Sequence, residues 1–292
     1  MGRPSPDGIS AGQMDLRAPQ HPALTGVVSG LWCSEARARP GEAEWALPTG
    51  TAHIALRPGG VPIRIDHHAH GSAVLGGPRL GAYRRDTPAR ARSAGIVLCP
   101  WALAALTGHA ARALRDRHVD LADVVGADAA RIEEAFATGA PERGIGEVER
   151  LLAARVAARH LPDRGLIQAI RALQAGAAVA ATASARGCSE RHLRAQVSDA
   201  TGFSPRELRR LGRLQRLLTL SQRQPSAPWA ERALRCGYAD QAHLCREFKA
   251  LTGLRPSEYA PMAGASHDVP IPSETFKTRA GAGVRIVNPT GA

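Results

Sequence analysis

The chain has 292 residues, a formal net charge of +12 and an isoelectric point near 10.7. This length is typical of two domains, and the strong positive charge favours a polyanionic partner such as nucleic acid. No apolar run approaches the roughly 20 residues that a membrane span needs, and the N-terminus lacks the apolar core of a signal peptide; both observations argue against membrane and secreted proteins.

Five cysteines are scattered along the chain, and no two of them have CxxC spacing. This pattern argues against a disulfide framework and a structural zinc site, and it is typical of a reducing compartment. We therefore expect a cytoplasmic protein without a cofactor. The sequence also lacks a glycine-rich phosphate loop, a paired-carboxylate motif and a nucleophile elbow, so we expect no enzyme active site.

The N-terminal half is predicted to be a β-rich domain with a helical extension. Residues 1–20 are rich in glycine, proline and polar residues, and we expect them to be flexible. Short apolar runs separated by Gly- and Pro-rich turns over residues 24–98 are typical of a small sandwich or barrel. Over residues 100–160 the apolar spacing becomes helical. We assign residues 21–160 to one N-terminal domain.

A second, all-α domain is predicted over residues 163–261, after a turn at Pro162-Asp163-Arg164-Gly165. Its apolar residues have helical spacing throughout. It also has an excess of positive charge, with 16 Lys and Arg against 8 Asp and Glu over residues 163–260. We expect residues 262–292, which are rich in Gly, Pro and Thr, to form a flexible tail. The predicted fold class of the whole chain is α+β.

Two helix-turn-helix patterns within this second domain are copies of one unit. Residues 189–207 align with residues 240–258 after a shift of 51 positions, and six residues coincide. Each copy begins with a residue that favours a helix N-cap, Ser189 or Asp240, and ends at Thr-Gly followed by Pro. Two such units in a basic setting indicate a chain that contacts two neighbouring stretches of DNA.

The second helix of a helix-turn-helix unit enters the major groove, where its N-terminal residues contact base edges. Leu193 and Val197, like Leu244 and Phe248, are four residues apart and are assigned to the core. Arginine can bridge guanine O6 and N7, and glutamine can pair with adenine N6 and N7. The outward positions are the candidate DNA-binding residues: Arg191, Arg194 and Ser198 in the first copy, and Gln241, Ala242, Cys245, Arg246 and Lys249 in the second.

A long helix beginning at Pro205 joins the two copies. Leucines line one side of this helix, and much of the rest is occupied by Arg206, Arg209, Arg210, Arg213 and Arg216. A helix of about 16 residues would span about 24 Å. With its flanking turns it would hold the two recognition helices about one duplex turn, roughly 34 Å, apart. One chain would then contact two successive major-groove segments on one face of the DNA.

Residues 163–261 resemble the DNA-binding domain of the AraC/XylS family of bacterial transcription regulators. The resemblance is carried by GCSERHLRAQVSDATGFSPREL in the first copy and RCGYADQAHLCREFKALTGLRPSEY in the second. It implies seven helices, two of them recognition helices, and sequence-specific binding to promoters. The first copy departs from the family's pattern, because Ala195-Gln196-Val197 stands where Arg-x-Phe is common. It therefore has fewer side chains that could contact bases.

The N-terminal half resembles the sensor-like region found in one subgroup of this family. The resemblance is carried by Trp45-Ala-Leu-Pro-Thr-Gly, Gly77-Pro-Arg79 and the strand from Gly95 to Pro100. It implies a nucleoid-associated regulator whose partners are double-stranded promoter DNA, RNA polymerase and a small-molecule effector of unknown identity. Two copies of the chain could pair through the helices at residues 127–160, but the apolar residues there equally suit the domain's own core.

The N-terminal half also contains histidines and a cysteine that could carry other chemistry. His67, His68 and His70, with His53, could form a cupin-like metal site, but the glycines around this segment favour an exposed polar turn. Cys99 precedes a helix start, where a thiolate is favoured, although a buried structural cysteine is the commoner case. The alternatives to a transcription regulator are a metal-dependent cupin-like enzyme with a basic tail and an architectural DNA-binding protein without a ligand.

Overall fold

The structure, a computed structural model, describes residues 14–36, 43–57, 59–86, 91–137, 141–261, 275–278 and 284–287. These residues form a β-rich N-terminal region and a helical C-terminal region, which confirms the predicted α+β fold class. Within this part of the chain, no helix combines the length and the apolar character that crossing a membrane requires.

Two sheets make up the β-rich region. Their strands, in chain order, are β1 Met14–Arg17, β2 Val28–Ala36, β3 Ala43–Ala46, β4 His53–Leu56, β5 Ile63–Ile65, β6 His68–His70, β7 Ala73–Gly76, β8 Tyr83–Asp86, β9 Ala91–Leu98, β10 His118–Asp120, β11 Tyr259–Pro261, β12 Thr275–Thr278 and β13 Val284–Val287. The first sheet has the antiparallel order β1-β2-β9-β4-β7-β10. The second has the order β11-β12-β13-β3-β8-β5-β6, in which only the β13–β3 pair is parallel.

The first sheet lies between the second sheet and a layer of helices. These helices are α1 Leu103–Thr107, α2 Leu121–Val125, α3 Asp128–Ala137 and α4 Pro141–Ala157. Side chains alternate along a strand, so β4 turns Ile54 and Leu56 toward the helices and His53 and Ala55 toward the second sheet. Accordingly, Ile54 and Leu56 belong to the large core shared with the helices, whereas Ala55 packs on the smaller core between the sheets.

The apolar residues of α4 are used inside this domain. Ile145, Val148, Leu152 and Val156 are buried in the core beneath the first sheet, together with Ile132 of α3. Burial of apolar surface is the main favourable term in folding, and these side chains are already covered by their own chain. These five residues are therefore not available for the predicted pairing of two copies through residues 127–160.

The limits of the β-rich region differ from those that the sequence predicts. Strand β1 pairs along β2, although the chain through residue 20 was expected to be flexible. Strand β10 lies within the predicted helical stretch, and β12 and β13 lie within the predicted tail. Strands of three or four residues carry too little periodicity to be detected from sequence. Residues 1–13, and the residues of the predicted tail other than those of β12 and β13, fall outside the described ranges.

The C-terminal region contains six α-helices and a short 3-10 helix at Pro256–Glu258 among the described residues. The helices are α5 Arg164–Ala175, α6 Val179–Ala185, α7 Glu190–Thr201, α8 Pro205–Arg223, α9 Trp229–Cys236 and α10 Gln241–Thr252. Helix α8 contributes Leu208 and Leu211 to the core of the first unit. It contributes Leu214, Leu217 and Leu218 to the core of the second. The joining helix therefore packs in both small cores and connects them.

Gly212 allows α8 to lie close against the end of α5. A Cβ added at this position would come within 1.9 Å of the Gln174 carbonyl oxygen, which belongs to the backbone and cannot move independently. The glycine in the middle of this helix is therefore explained by a close approach of two backbones.

We predict that Gly212→Ala lowers the free energy of unfolding by about 1–3 kcal/mol because the added methyl group forces the two helices apart. Helix propensity alone predicts the opposite sign, a gain of about 1 kcal/mol. Gly146→Ala in α4 is the matched control, since a Cβ there meets nothing within 4 Å. Chemical unfolding of both variants checks the expectation, and a Gly212→Ala protein as stable as Gly146→Ala would contradict it.

Candidate nucleic-acid interface

The first helix-turn-helix unit consists of α6, a turn and α7. The Ser189 side chain accepts a hydrogen bond from the His192 backbone N–H and so caps α7 as predicted. Leu193 and Val197 are fully buried, which turns Arg191 and Arg194 to solvent. The remaining candidate of this unit, Ser198, is only partly exposed.

The second unit consists of α9, a turn and α10. Asp240 caps α10 by accepting from the His243 backbone N–H at 2.6 Å, and Leu244 and Phe248 are fully buried. Four of the predicted residues lie exposed on the outer face: Gln241, Ala242, Arg246 and Lys249. Cys245, also predicted to face outward, is half-buried and packs at the edge of the core of this unit.

The outer faces of α7 and α10 differ in whether their arginines form ion pairs within the protein. In α7, Arg194 forms an ion pair with Glu190 one turn earlier on the same helix. In α10, Arg246 makes no hydrogen bond or ion pair with any residue that the structure describes, and it lies exposed. A cation without an internal partner gives up no contact within the protein when it binds a base or a phosphate. The second face is thus better prepared for a polyanion than the first.

His243 supports the backbone of the second unit. Its ring Nδ1 accepts from the Ala239 N–H at 3.3 Å, and the ring packs edge-on against Tyr238. These contacts fix the turn that precedes α10. His192, at the equivalent place in the first unit, has an exposed side chain.

A buried carboxylate fixes α10 on the joining helix. Glu247, 8% exposed, accepts from Arg213 Nε at 3.0 Å and Nη2 at 2.7 Å and from Arg210 Nε at 3.2 Å. The Arg213 guanidinium also lies 5.5 Å from the centre of the Tyr238 ring. Two of the arginines that the sequence places on the surface of α8 therefore hold the second recognition helix. The charge pattern of α8 gives no sign of this, because the partner lies more than 30 residues further along the chain.

Arg216, one turn further along α8, joins both units. Its Nη1 donates to the Gln174 carbonyl near the end of α5 at 2.8 Å, and its Nη2 donates to the Cys236 carbonyl at the end of α9 at 3.3 Å. The last carbonyls of a helix lack partners within that helix and carry partial negative charge. One guanidinium thus links α5, which packs in the core of the first unit, to α9, the first helix of the second unit.

The N-terminal region contacts this interface through an arginine clamp formed by Arg115, Glu207 and Gly202. Arg115, just after a short 3-10 helix at Ala111–Leu114, donates to both carboxylate oxygens of Glu207, at 3.1 and 2.7 Å, and to the Gly202 carbonyl. Glu207 also closes the capping box of α8 with Ser204. The clamp therefore holds the junction between the first recognition helix and the joining helix.

Both helical cores also include residues of the N-terminal region. Leu47 is buried with the leucines of the second unit, and Trp101 is buried with those of the first. The Gln215 side chain donates to the Pro48 carbonyl at 2.7 Å, and the Ala82 N–H donates to the Leu251 carbonyl. The two regions are thus packed as parts of one body along this surface.

The histidine segment and Cys99 take structural positions. Asp66 and His67 have positive φ angles of 48° and 71° and form the turn between β5 and β6, and His67 is exposed, as predicted for a polar turn. No group of three or more metal-ligating side chains converges within the described residues. Cys99 accepts a hydrogen bond from the Ser29 hydroxyl, and burial raises its pKa, which disfavours a reactive thiolate.

Comparison with known proteins agrees with this geometry. Residues 182–261 match the family model of a helix-turn-helix domain. The chain therefore carries an AraC-type helix-turn-helix domain. This domain confirms the predicted class of DNA-binding regulator. The match covers the α7–α10 recognition region and ends with β11.

Solved structures similar to about three quarters of the chain come from ToxT of Vibrio cholerae. The crystal structure of ToxT from strain O395 is 11% identical, with a TM-score of 0.45, and the alignment covers 78% of this chain and 96% of that one. A fatty-acid-bound ToxT from strain SCE256 is 10% identical, with a TM-score of 0.41, covering 74% and 92%. No curated protein sequence matches the chain.

We predict that Glu247→Gln destabilises the AraC-type domain by about 2–3 kcal/mol. Breaking a buried ion pair by removing one partner costs about 3–5 kcal/mol, and partial exposure of Arg210 and Arg213 reduces this value. Glu231→Gln is the control, because Glu231 forms an exposed pair with Arg235 within α9, worth less than about 1 kcal/mol. Equal stability of the two variants in denaturant titrations would show that the Glu247 cluster does not hold α10.

Proposed function

We propose that this chain is a one-component transcription regulator that binds promoter DNA with two recognition helices and responds to an effector in its N-terminal region. The observation that carries the proposal is the pair of capped helices, α7 and α10, whose outer faces present Arg191, Gln241 and Arg246 to solvent. Side chains of this kind at a helix N-terminal half suit base edges and phosphates.

The length of α8 supports contact with two successive major-groove segments. It has 19 residues, which corresponds to about 28 Å and exceeds the predicted length. Both units are fixed to this one helix, so their spacing is set by the protein before DNA is bound. A preset spacing near the roughly 34 Å of a duplex turn would favour two contacts on one face of the DNA.

The two recognition helices are proposed to contribute unequally. In α10, the exposed Gln241, Arg246 and Lys249 have no competing partner among the described side chains. In α7, Arg194 is paired with Glu190, and Ala195 stands where the AraC/XylS pattern usually has an arginine. Helix α10 would therefore supply most of the base discrimination, whereas α7 would mainly position the protein on the phosphate backbone.

The N-terminal region is proposed to transmit the effector signal through the arginine clamp. Arg115 contacts the junction of α7 and α8, so a shift of this residue changes the angle between the two recognition helices. The further partners predicted from sequence, RNA polymerase and a second copy of the chain, remain predictions. A dimer would need a surface other than the buried apolar residues of α3 and α4.

The two alternative functions receive less support. A cupin-like metal enzyme does not account for the AraC-type domain over residues 182–261. An architectural DNA-binding protein would need only a basic surface, whereas α10 carries side chains suited to bases. Sequence-blind binding with a steep salt dependence would favour the architectural alternative.

We predict that Arg246→Ala weakens binding to a preferred duplex by about 1–3 kcal/mol and relaxes discrimination at one base position. The duplex is selected from random sequence with the full chain, and affinities are then measured for every single-base change. Arg223→Ala is the control, because Arg223 is exposed at the end of α8, away from the recognition helices. It should leave the pattern of base preferences intact. The assignment of Arg246 is wrong if its variant keeps both the affinity and the discrimination of the unaltered chain.

A further inference from the structure

Two histidines lie in a row on the face of the first sheet that is turned toward the second. His53 of β4 and His118 of β10 both pair with Gly76 of β7, one from each side. The His53 ring lies on Gly76 so closely that a Cβ there would come within 2.2 Å of it. Any larger residue at Gly76 would displace this imidazole, so the glycine creates the place that the ring occupies.

Two residues from the opposite side complete a cluster of four, His53, His118, Tyr83 and Arg79, which we call the imidazole cluster. The Tyr83 ring centre lies 4.7 Å from that of His118, and the Tyr83 hydroxyl lies 3.3 Å from His53 Nε2. The Arg79 guanidinium lies 4.9 Å from the Tyr83 ring centre, and its Nη1 lies 3.3 Å from His118 Nδ1. The four side chains are therefore one contiguous group.

The protonation state of His118 follows from its partner. A guanidinium can only donate hydrogen bonds, so His118 Nδ1 accepts from Arg79 and the neutral ring carries its proton on Nε2. Burial, with the charge of Arg79 among the further causes, lowers the pKa of His118 to about 2, and burial with Arg85 and Arg79 lowers that of His53 to about 3. Both imidazoles are neutral at physiological pH.

The imidazole cluster contains buried donors that have no acceptor. His118 Nε2 and Arg79 Nε are both buried, and neither makes a hydrogen bond with any described atom. His53 Nδ1 is also buried without a partner, in a residue that is 5% exposed, and it is a donor when the Tyr83 hydroxyl donates to Nε2 of the same neutral ring. The indole N–H of Trp32 is likewise buried without an acceptor, and its ring lies on Gly95 of the same sheet. Folded proteins rarely leave such groups unsatisfied, because each one carries a desolvation penalty.

The cluster is most exposed at Arg79. His53 lies at its base, whereas the Arg79 side chain is 19% exposed and its ion-pair partner Asp66 is 41% exposed. Behind the N–H donors, Val74 and Ile65 pack with Tyr83 in the small core between the sheets.

We propose that the imidazole cluster binds the carboxylate of a small organic acid, with Arg79 Nε, His118 Nε2 and His53 Nδ1 as hydrogen-bond partners. The unsatisfied atoms of Arg79 and His118 are donors and therefore require an acceptor. Because Arg79 is already paired with Asp66 and the imidazoles are neutral, the site suits a single negative charge better than a phosphate dianion. The apolar side chains further inside suit the carbon skeleton of the acid.

The same residues lie beside the contacts that hold the AraC-type domain. Arg79 stands between Pro78, which packs against Gly202, and Leu80, which packs on both helical cores. His118 follows Arg115 of the arginine clamp by three residues. Asp116 joins the two segments, since its N–H donates to the Pro78 carbonyl and its carboxylate accepts from the Leu80 N–H. A ligand that shifts Arg79 or His118 therefore acts directly on the recognition region.

This inference rests on the proposed function, because it names the class of effector and its site. It is tested on the full chain labelled with ¹⁵N-histidine. The probes are acetate, phenylacetate and succinate, each compared with its uncharged amide, and inorganic phosphate. In the free protein, His118 should show the neutral Nε2–H tautomer. At least one carboxylate should shift the His118 Nε2 and His53 Nδ1 resonances in a saturable way, whereas its amide and phosphate should not.

Two variants are compared so that the failure of one to fold does not decide the result. Arg79→Met and His118→Phe should each weaken binding of that carboxylate by about tenfold or more, the loss expected for a hydrogen bond to a charged group. Arg64→Met and His160→Phe replace exposed residues of the same types and should leave binding unchanged.

Three results would overturn the proposal. The first is the absence of a saturable shift with every carboxylate, which would mean that bound water satisfies the donors. The second is equal binding of the amides or of phosphate, and the third is equal loss in the control variants. Binding of the selected duplex by the same protein without any probe tests the proposed function separately. A chain that binds its duplex but no carboxylate would refute the site alone.

Discussion

The arrangement of the DNA-binding region depends on the arginines along one side of α8. Arg216 donates to carbonyls at the ends of α5, which packs in the core of the first unit, and α9, the first helix of the second unit. Arg213, one turn earlier, forms a two-pronged pair with Glu247 of α10. Charged hydrogen bonds of this kind fix both distance and direction. The two recognition helices are therefore held at a set spacing by one helix, and the leucines on its other side fill the cores of both units.

The same helix is also the place where the N-terminal region is attached. The arginine clamp holds the start of α8, and Leu47 and Trp101 complete the two helical cores. A fragment limited to residues 163–261 would expose these cores where the two side chains are removed. The sensor-like region is thus part of the folded unit that presents the recognition helices. We therefore expect a movement of the N-terminal region to alter the positions of the two recognition helices.

Local features of the interface could be predicted from sequence, whereas its long-range partners could not. Ser189 and Asp240 were identified as N-caps, and Leu193 and Phe248 as core residues, because capping chemistry and four-residue spacing are properties of a single helix. Cys245 was placed wholly outward, yet it packs at the edge of a core. This position depends on α9 and α8, which the pattern of α10 does not contain.

The long-range ion pairs show the same limit. The sequence displays the arginines of α8 and suggests a basic surface, but it does not show that Glu247 and the carbonyl ends of two helices take up three of them. In the N-terminal region, the imidazole cluster was missed because His53, Gly76 and His118 come together only through the register of β4, β7 and β10. The histidines at residues 67–70 form a visible sequence pattern because they are close together in sequence.

The central claim is that one chain, through α8, places two recognition helices on successive major-groove segments. Hydroxyl-radical footprinting of the full chain on its selected duplex tests this claim most directly. The account predicts two protected segments on one face of the duplex, separated by about one helical turn, roughly 34 Å. Protection of one segment only, or of two segments on opposite faces, would contradict it.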